Sequence, residues 1–185
     1  MGTDPISLII STFAQLYIHI MLVRFLLQIA GADYYNPLSQ SIVKITQPVL
    51  TPLQRLLPKV GRIDISPLIT AFVLVVALYC VLLLIKGYAL QEGLGIVLLS
   101  SVAYTINAIL NIYFYAVIGS VIISWIAPGS YHPAPQLIMQ LTEPLFKLFQ
   151  KVIPPIGGLD LSPIFIFLAI QLIQSQLAQL IIRLY

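Results

Sequence analysis

The chain has 185 residues, of which 59% are hydrophobic and only 8% charged, and its net charge is +3. A soluble domain carries about 25% charged residues, so this chain cannot cover its own surface in water. A water-soluble globular domain is excluded, and the small positive balance comes with no nucleic-acid-binding motif.

The N-terminus reads Met1-Gly2-Thr3-Asp4. It has no basic n-region, and the apolar stretch behind it is too long for a removable signal peptide. Ile6 also breaks the myristoylation pattern. The first apolar run, Ile6 to Ile29, is long enough to cross a hydrocarbon core, which needs roughly 20 helical residues. Ser11, Gln15 and His19 lie along it. Arg24 falls half a turn away from Gln15 at about 100° per residue and is expected to snorkel to the interface.

A proline-punctuated segment follows. Asn36-Pro37 reads as a helix start, with a short helix to about Ile45 and a second one beginning at Pro48. Val49, Leu53, Leu56 and Leu57 then share one face, opposite Gln54 and Arg55, and Pro52 is expected to bend this helix. An amphipathic helix with basic residues opposite an aliphatic stripe belongs in the plane of the membrane interface. At Asp64-Ile65-Ser66-Pro67, Ser66 is placed as an N-cap and Pro67 at the first helical position. Asp64 would sit beside the positive end of the helix dipole, where an anion gains about 0.3–1 kcal/mol. Pairing with Arg55 or Arg62 would strengthen that structural role; binding a cation or a partner is the alternative. The second run, Pro67 to Ile85, holds few polar groups: Thr70, Tyr79 and Cys80. A lone cysteine forms no internal disulfide and leaves the redox compartment open.

The third run, Gly95 to Ile126, carries Ser100, Tyr104, Asn107, Asn111 and Tyr115 as one continuous helical stripe. Next comes a second proline segment, with His132-Pro133 as a helix start and Pro144 opening the following helix. Leu145, Phe149, Val152 and Ile153 oppose Lys147, Gln150 and Lys151. Asp160, Ser162 and Pro163 repeat the helix-start motif, and the fourth run, Pro163 to Ile182, adds Gln171, Gln174, Ser175 and Gln179. Runs of this length that do not alternate call for helices rather than a barrel.

The second half copies the first at an offset of 96 residues with no gap. Thr46/Thr142, Pro48/Pro144, Gln54/Gln150, Pro58/Pro154, Gly61/Gly157, Asp64/Asp160, Ser66/Ser162 and Pro67/Pro163 are identical, and Arg55 pairs with Lys151. The reading is a duplication. Repeat 1 spans 1–95, with spans at 6–29 and 67–85 and an amphipathic segment at 36–66; repeat 2 spans 96–185, with spans at 96–126 and 163–182 and a segment at 132–162. Two spans per unit bring both copies through the membrane in the same sense, which implies a pseudo-two-fold axis along the membrane normal and excludes an inverted repeat. The expected fold is an all-α membrane protein with four transmembrane helices as two tandem two-helix repeats and proline-bounded amphipathic interfacial helices.

The doubled motif T-x-P-x₉-P-x₂-G-x₂-D-x-S-P at the head of a transmembrane helix resembles the YggT (YlmG) family of bacterial and plastid membrane proteins, over nearly the whole chain. The family commonly ends its first helix with Ser-Trp. The second copy keeps Ser124-Trp125, whereas the first has Gln28-Ile29. The resemblance implies an inner-membrane protein linked to osmotic-stress tolerance, to division or nucleoid organisation, and in plastids to haem attachment on cytochrome b6. It carries over no catalytic residues.

Lys44, Arg55, Lys59, Arg62, Lys147 and Lys151 lie in the two proline segments, against Lys86 and Arg183 on the other side. The positive-inside rule then puts both amphipathic segments in the cytoplasm and the termini outside, with the basic faces toward anionic lipid. Stepping back 96 residues from Asn107, Asn111 and Tyr115 gives Ser11, Gln15 and His19. The two first helices therefore carry equivalent polar stripes, expected to face each other as inter-helix hydrogen bonding or as a hydrated path. His19 and His132 have no carboxylate or cysteine at ligand spacing, so no metal site is expected, and no cofactor motif or catalytic motif is present. An acid pair formed by Asp64 and Asp160 is disfavoured by their place at helix starts. Two functions fit: a non-enzymatic scaffold or assembly factor, associating as a homo-oligomer or with a larger membrane complex, and a small ion or osmolyte channel.

Overall fold

A computed structural model describes residues 4–56, 63–87, 94–152 and 160–182. Leu57, Pro58, Lys59, Gly61, Arg62, Ile153, Pro154, Gly157 and Arg183, named above, lie outside the described residues. Six helices follow in chain order: α1 (Pro5–Ala30), α2 (Pro37–Leu56), α3 (Ser66–Ile85), α4 (Leu94–Ile126), α5 (Pro133–Gln150) and α6 (Ser162–Ile182). No β-strand occurs among the described residues. Helices α1, α3, α4 and α6 are long and apolar enough to cross a membrane. Much of their apolar surface faces outward (Phe13 is 69% exposed), the pattern of helices solvated by lipid rather than water.

Local chemistry sets the ends. Gly31 adopts a left-handed φ of 67° after α1, and the Ala32 N–H reaches back to the Leu27 carbonyl at 2.9 Å. That geometry satisfies carbonyls which the last turn leaves open. Proline opens α1, α2 and α5, where a missing N–H leaves no bond unmade.

The proline segments differ from expectation. Pro48 and Pro144 do not start new helices: α2 runs unbroken through Pro48, with Pro52 inside it as expected, and α5 runs through Pro144. Pro48 and Pro52 are one turn apart and both exposed. The hydrogen bonds they forfeit therefore fall on the outer side of α2, where water can take the freed carbonyls. Thr46 and Thr51 add hydroxyl bonds to the carbonyls of Ile42 and Gln47 at 2.7 and 2.8 Å.

The core forms three clusters. Ile18, Met21 and Leu22 of α1 pack with Ala71, Val75 and Leu78 of α3, Leu50 of α2 and Ala108 of α4. Phe25, Leu26 and Leu27 of α1 meet Leu137 and Leu141 of α5, which ties the two units together. Val117 of α4 packs on Ile166 and Ile170 of α6. Asn36 Nδ2 donates to the Pro133 carbonyl at 2.8 Å, and Gln140 Oε1 accepts the Asp33 N–H at 3.0 Å. Both amphipathic helices thus start at the same end of the bundle, and α2 touches α5 while α1 touches α4, like meeting like. The cross-pairs are uneven. α1 packs on α5 and α3 on α4, with no comparable contact of α4 with α2 or of α6 with α1.

Candidate functional site

Two polar regions stand out in this apolar molecule. The first is the corner where each unit's amphipathic helix meets the start of its second span. The Asp64 carboxylate accepts the Ser66 N–H through Oδ1 at 2.9 Å and the Gln54 amide through Oδ2 at 2.7 Å. Asp160 repeats this with the Ser162 N–H at 2.8 Å and Gln150 at 2.9 Å. The acidic side chain, not the serine hydroxyl, therefore caps the helix. Ser66 and Ser162 are the first helical residues, both buried, with Pro67 and Pro163 one position later than expected. Gln54 and Gln150 likewise turn inward to the carboxylates instead of lining the outer, basic face. Burial pushes both carboxyls up, but hydrogen bonds from Ser66 and Gln54, with help from the Arg24 charge, outweigh it and hold Asp64 below the usual carboxylate range. Ser162 and Gln150 do the same for Asp160.

The partners of Arg24 are what sequence reasoning did not find: its guanidinium is half-buried against α2. Nη1 donates to Thr46 Oγ1 at 2.7 Å and to the Val43 carbonyl at 3.3 Å, and Nη2 donates to Gln47 Oε1 at 2.8 Å. Gln47 Nε2 passes on to Gln54 Oε1 at 2.9 Å, and Gln54 to Asp64. A cation in α1 is thereby linked to an anion at the head of α3 through two amides. The available signal was the ionisable residue inside an apolar run, which marks a partnered group by default. Gln47 carried no signal of its own.

The second region lies within the spans. Gln174 Nε2 donates to Asn107 Oδ1 at 3.0 Å and to Asn111 Oδ1 at 2.8 Å, joining α4 to α6. The polar stripes of α1 and α4 do not face each other. Ser11 and His19 bond within α1, to the Leu8 carbonyl at 3.0 Å and the Gln15 carbonyl at 2.7 Å, and Gln15 is exposed. Tyr115 and Gln171 also point outward. The amides instead pair within the second unit, because α6 supplies a glutamine where α3 supplies none. Beside them a cavity of about 600 Å³ opens between α3, α4 and α6, apolar except for Tyr79, Lys86, Ser100, Tyr104, Asn107 and Gln174. Of the remaining motif residues, Pro48, Arg55, Pro144 and Lys151 are exposed.

This architecture defines a multi-pass helical membrane protein built from a duplicated two-span unit. The chain belongs to the CCB3/YggT family, whose pattern matches residues 3–85 and again 99–181. It is 46% identical to an uncharacterised protein of Pseudomonas aeruginosa over 165 residues, 89% of this chain and 84% of that protein. An uncharacterised protein encoded in the proC 3′ region of Vibrio alginolyticus is 39% identical over 168 residues, 91% of this chain and 90% of that one. The YggT protein of Escherichia coli K12 is 30% identical over 178 residues, 96% and 92% of the two chains. No solved structure matches the chain.

Proposed function

We propose that the protein is a non-enzymatic scaffold or assembly factor of the bacterial inner membrane, gathering anionic lipid or a membrane complex at its paired amphipathic helices. One observation carries this reading: α2 and α5 pack together at one end of the bundle with Lys44, Arg55, Lys147 and Lys151 exposed. The positive-inside rule assigns that end to the cytoplasm and the termini to the far side. Each basic residue near an anionic leaflet contributes about 1 kcal/mol. The link to osmotic-stress tolerance or to envelope and division processes rests on family resemblance. Native mass spectrometry of the purified protein tests the scaffold. The Arg55→Ala/Lys147→Ala/Lys151→Ala variant should retain far less phosphatidylglycerol or partner than the wild type, and equal retention would sink the idea.

The cavity beside Asn107 and Gln174 supports a second reading, a small ion or osmolyte channel. Four spans are few for one conduction path, so an oligomer would complete it. Flux from proteoliposomes after osmotic downshift should then vanish in the Asn107→Leu/Asn111→Leu double mutant; flux no higher than in empty liposomes favours the scaffold.

A further inference from the structure

The two corners are built alike but charged differently. At the 96-residue offset, Thr46, Gln54 and Asp64 recur as Thr142, Gln150 and Asp160, and each glutamine donates to its carboxylate. Arg24 is matched by Ser120, Gln47 by Glu143 and Thr51 by Lys147. In the first corner one guanidinium balances one carboxylate. In the second, Lys147 is drawn to Glu143 at 2.6 Å, and among the described residues no ion pair reaches Asp160.

Hydrogen-bond supply differs in the same direction. Arg24 and Gln47 bring donors to the first corner. An ionised glutamate accepts only, so Glu143 in place of Gln47 removes donors where Ser120 has already removed a guanidinium. Ser120 and Thr142 are buried, 3% and 1% exposed. Their hydroxyls donate to the Val117 carbonyl at 2.9 Å and the Ile138 carbonyl at 3.0 Å, which leaves their lone pairs as acceptors. Asp160 uses one site on each oxygen, and a carboxylate has about four. A cavity of about 730 Å³ opens here, lined by Ser120, Thr142, Glu143, Gln150, Asp160 and the indole of Trp125, and by Lys147, whose ammonium is paired with Glu143, so its two carboxylates and one ammonium leave one negative charge over.

We propose that this cavity is a binding site for a monovalent organic cation, a guanidinium or primary ammonium group, which takes the place Arg24 holds in the first unit. The equivalent residues already bind a guanidinium in the same chain, and one positive charge restores neutrality. Trp125 adds an aromatic wall that favours such cations. No group of three His, Cys, Asp or Glu residues forms a metal site among the described residues, so the corner suits a directional donor better than a multivalent metal. The cation arrives either as a free solute or as the aminoethyl headgroup of a lipid.

Millimolar guanidinium titrated calorimetrically into the detergent-purified protein, at ionic strength balanced with sodium chloride, tests this. The wild type should bind one equivalent. Ser120→Arg, which delivers its own guanidinium, should abolish the signal, and Asp160→Asn should weaken it about tenfold, as expected for removing a nearby opposite charge that acts through space, as Arg24 and Asp64 do. No binding to the wild type, or equal binding by Ser120→Arg, overturns the proposal. If Ser120→Arg does not fold, Thr142→Val replaces it, and unchanged affinity there has the same force. Competition by phosphatidylethanolamine in nanodiscs identifies a lipid headgroup as the occupant; its absence identifies a free solute.

Discussion

Arg24 shows how much one side chain organises here. It ties α1 to α2 by three hydrogen bonds and reaches Asp64 through Gln47 and Gln54. Arg24→Ala should destabilise the protein by about 1–3 kcal/mol, since bonds involving a charged group carry that much and half-buried acceptors are left without a donor; unfolding in detergent measures it. Asp64 gives a pH signature. Its carboxyl is lowered in the folded protein, so its contribution is complete above the unfolded value of about 3.9 and fades as pH falls through the lower folded one. The wild type should lose thermal stability in that acid window, and Asp64→Asn should be less stable at neutral pH with a flatter acid profile. A profile as steep as the wild type would disprove the role. In the sequence, the place of Asp64 and Asp160 beside a helix start was legible. Which side chain caps was not, because aspartate and serine are both good caps and stand two residues apart. The partners of Arg24 lie 19 to 23 residues away, across a turn that no periodicity specifies.

Among the elements, the pairing of α4 with α6 rests in part on Gln174. Gln174→Leu should lower stability by about 0.6–2 kcal/mol, the range for amide bonds between membrane helices. Asn107→Leu should add little on top of it, which a double-mutant cycle would read as coupling. The four spans were plain in the apolar runs, where length alone decides. The proline segments were misread because proline fits both the first turn of a helix and its exposed face. With Thr46 and Leu50 both buried on either side of Pro48, α2 continues through it. The polar stripes were real as patterns on each helix. Their partners were not legible, since a stripe says which residues share a face and nothing about which helix comes to meet it.

At the scale of the whole molecule, duplication was written in the sequence and recurs in matched hydrogen bonds at both corners. The uneven docking of the units was not, because an offset identifies two units and leaves their relative placement to contacts such as Phe25 with Leu141. Orientation yields a direct check. Tyr131, 92% exposed, stands at the end that also presents α5. In a Cys80→Ser background, Tyr131→Cys should react with an impermeant maleimide from the cytoplasmic side alone, and labelling from the outside would reverse the assignment. Asn36→Ala should loosen the junction of the units, seen as faster hydrogen exchange in α5.

Helix α4 has 33 residues against 20 in α3 and 21 in α6. At 1.5 Å per residue it is about 50 Å long, whereas a hydrocarbon core is about 30 Å thick. Tilting by about 40°, the upper end of what such helices adopt, still leaves it too long, so the surrounding bilayer must thicken or part of α4 must emerge. Stretching a membrane thins it and worsens this mismatch for α4 more than for its shorter neighbours. Lateral tension would then act on the packing of α4 against α3, α5 and α6, making the fold sensitive to bilayer thickness. Reconstitution in lipids of graded chain length, with α4 exchange as the readout, would expose it.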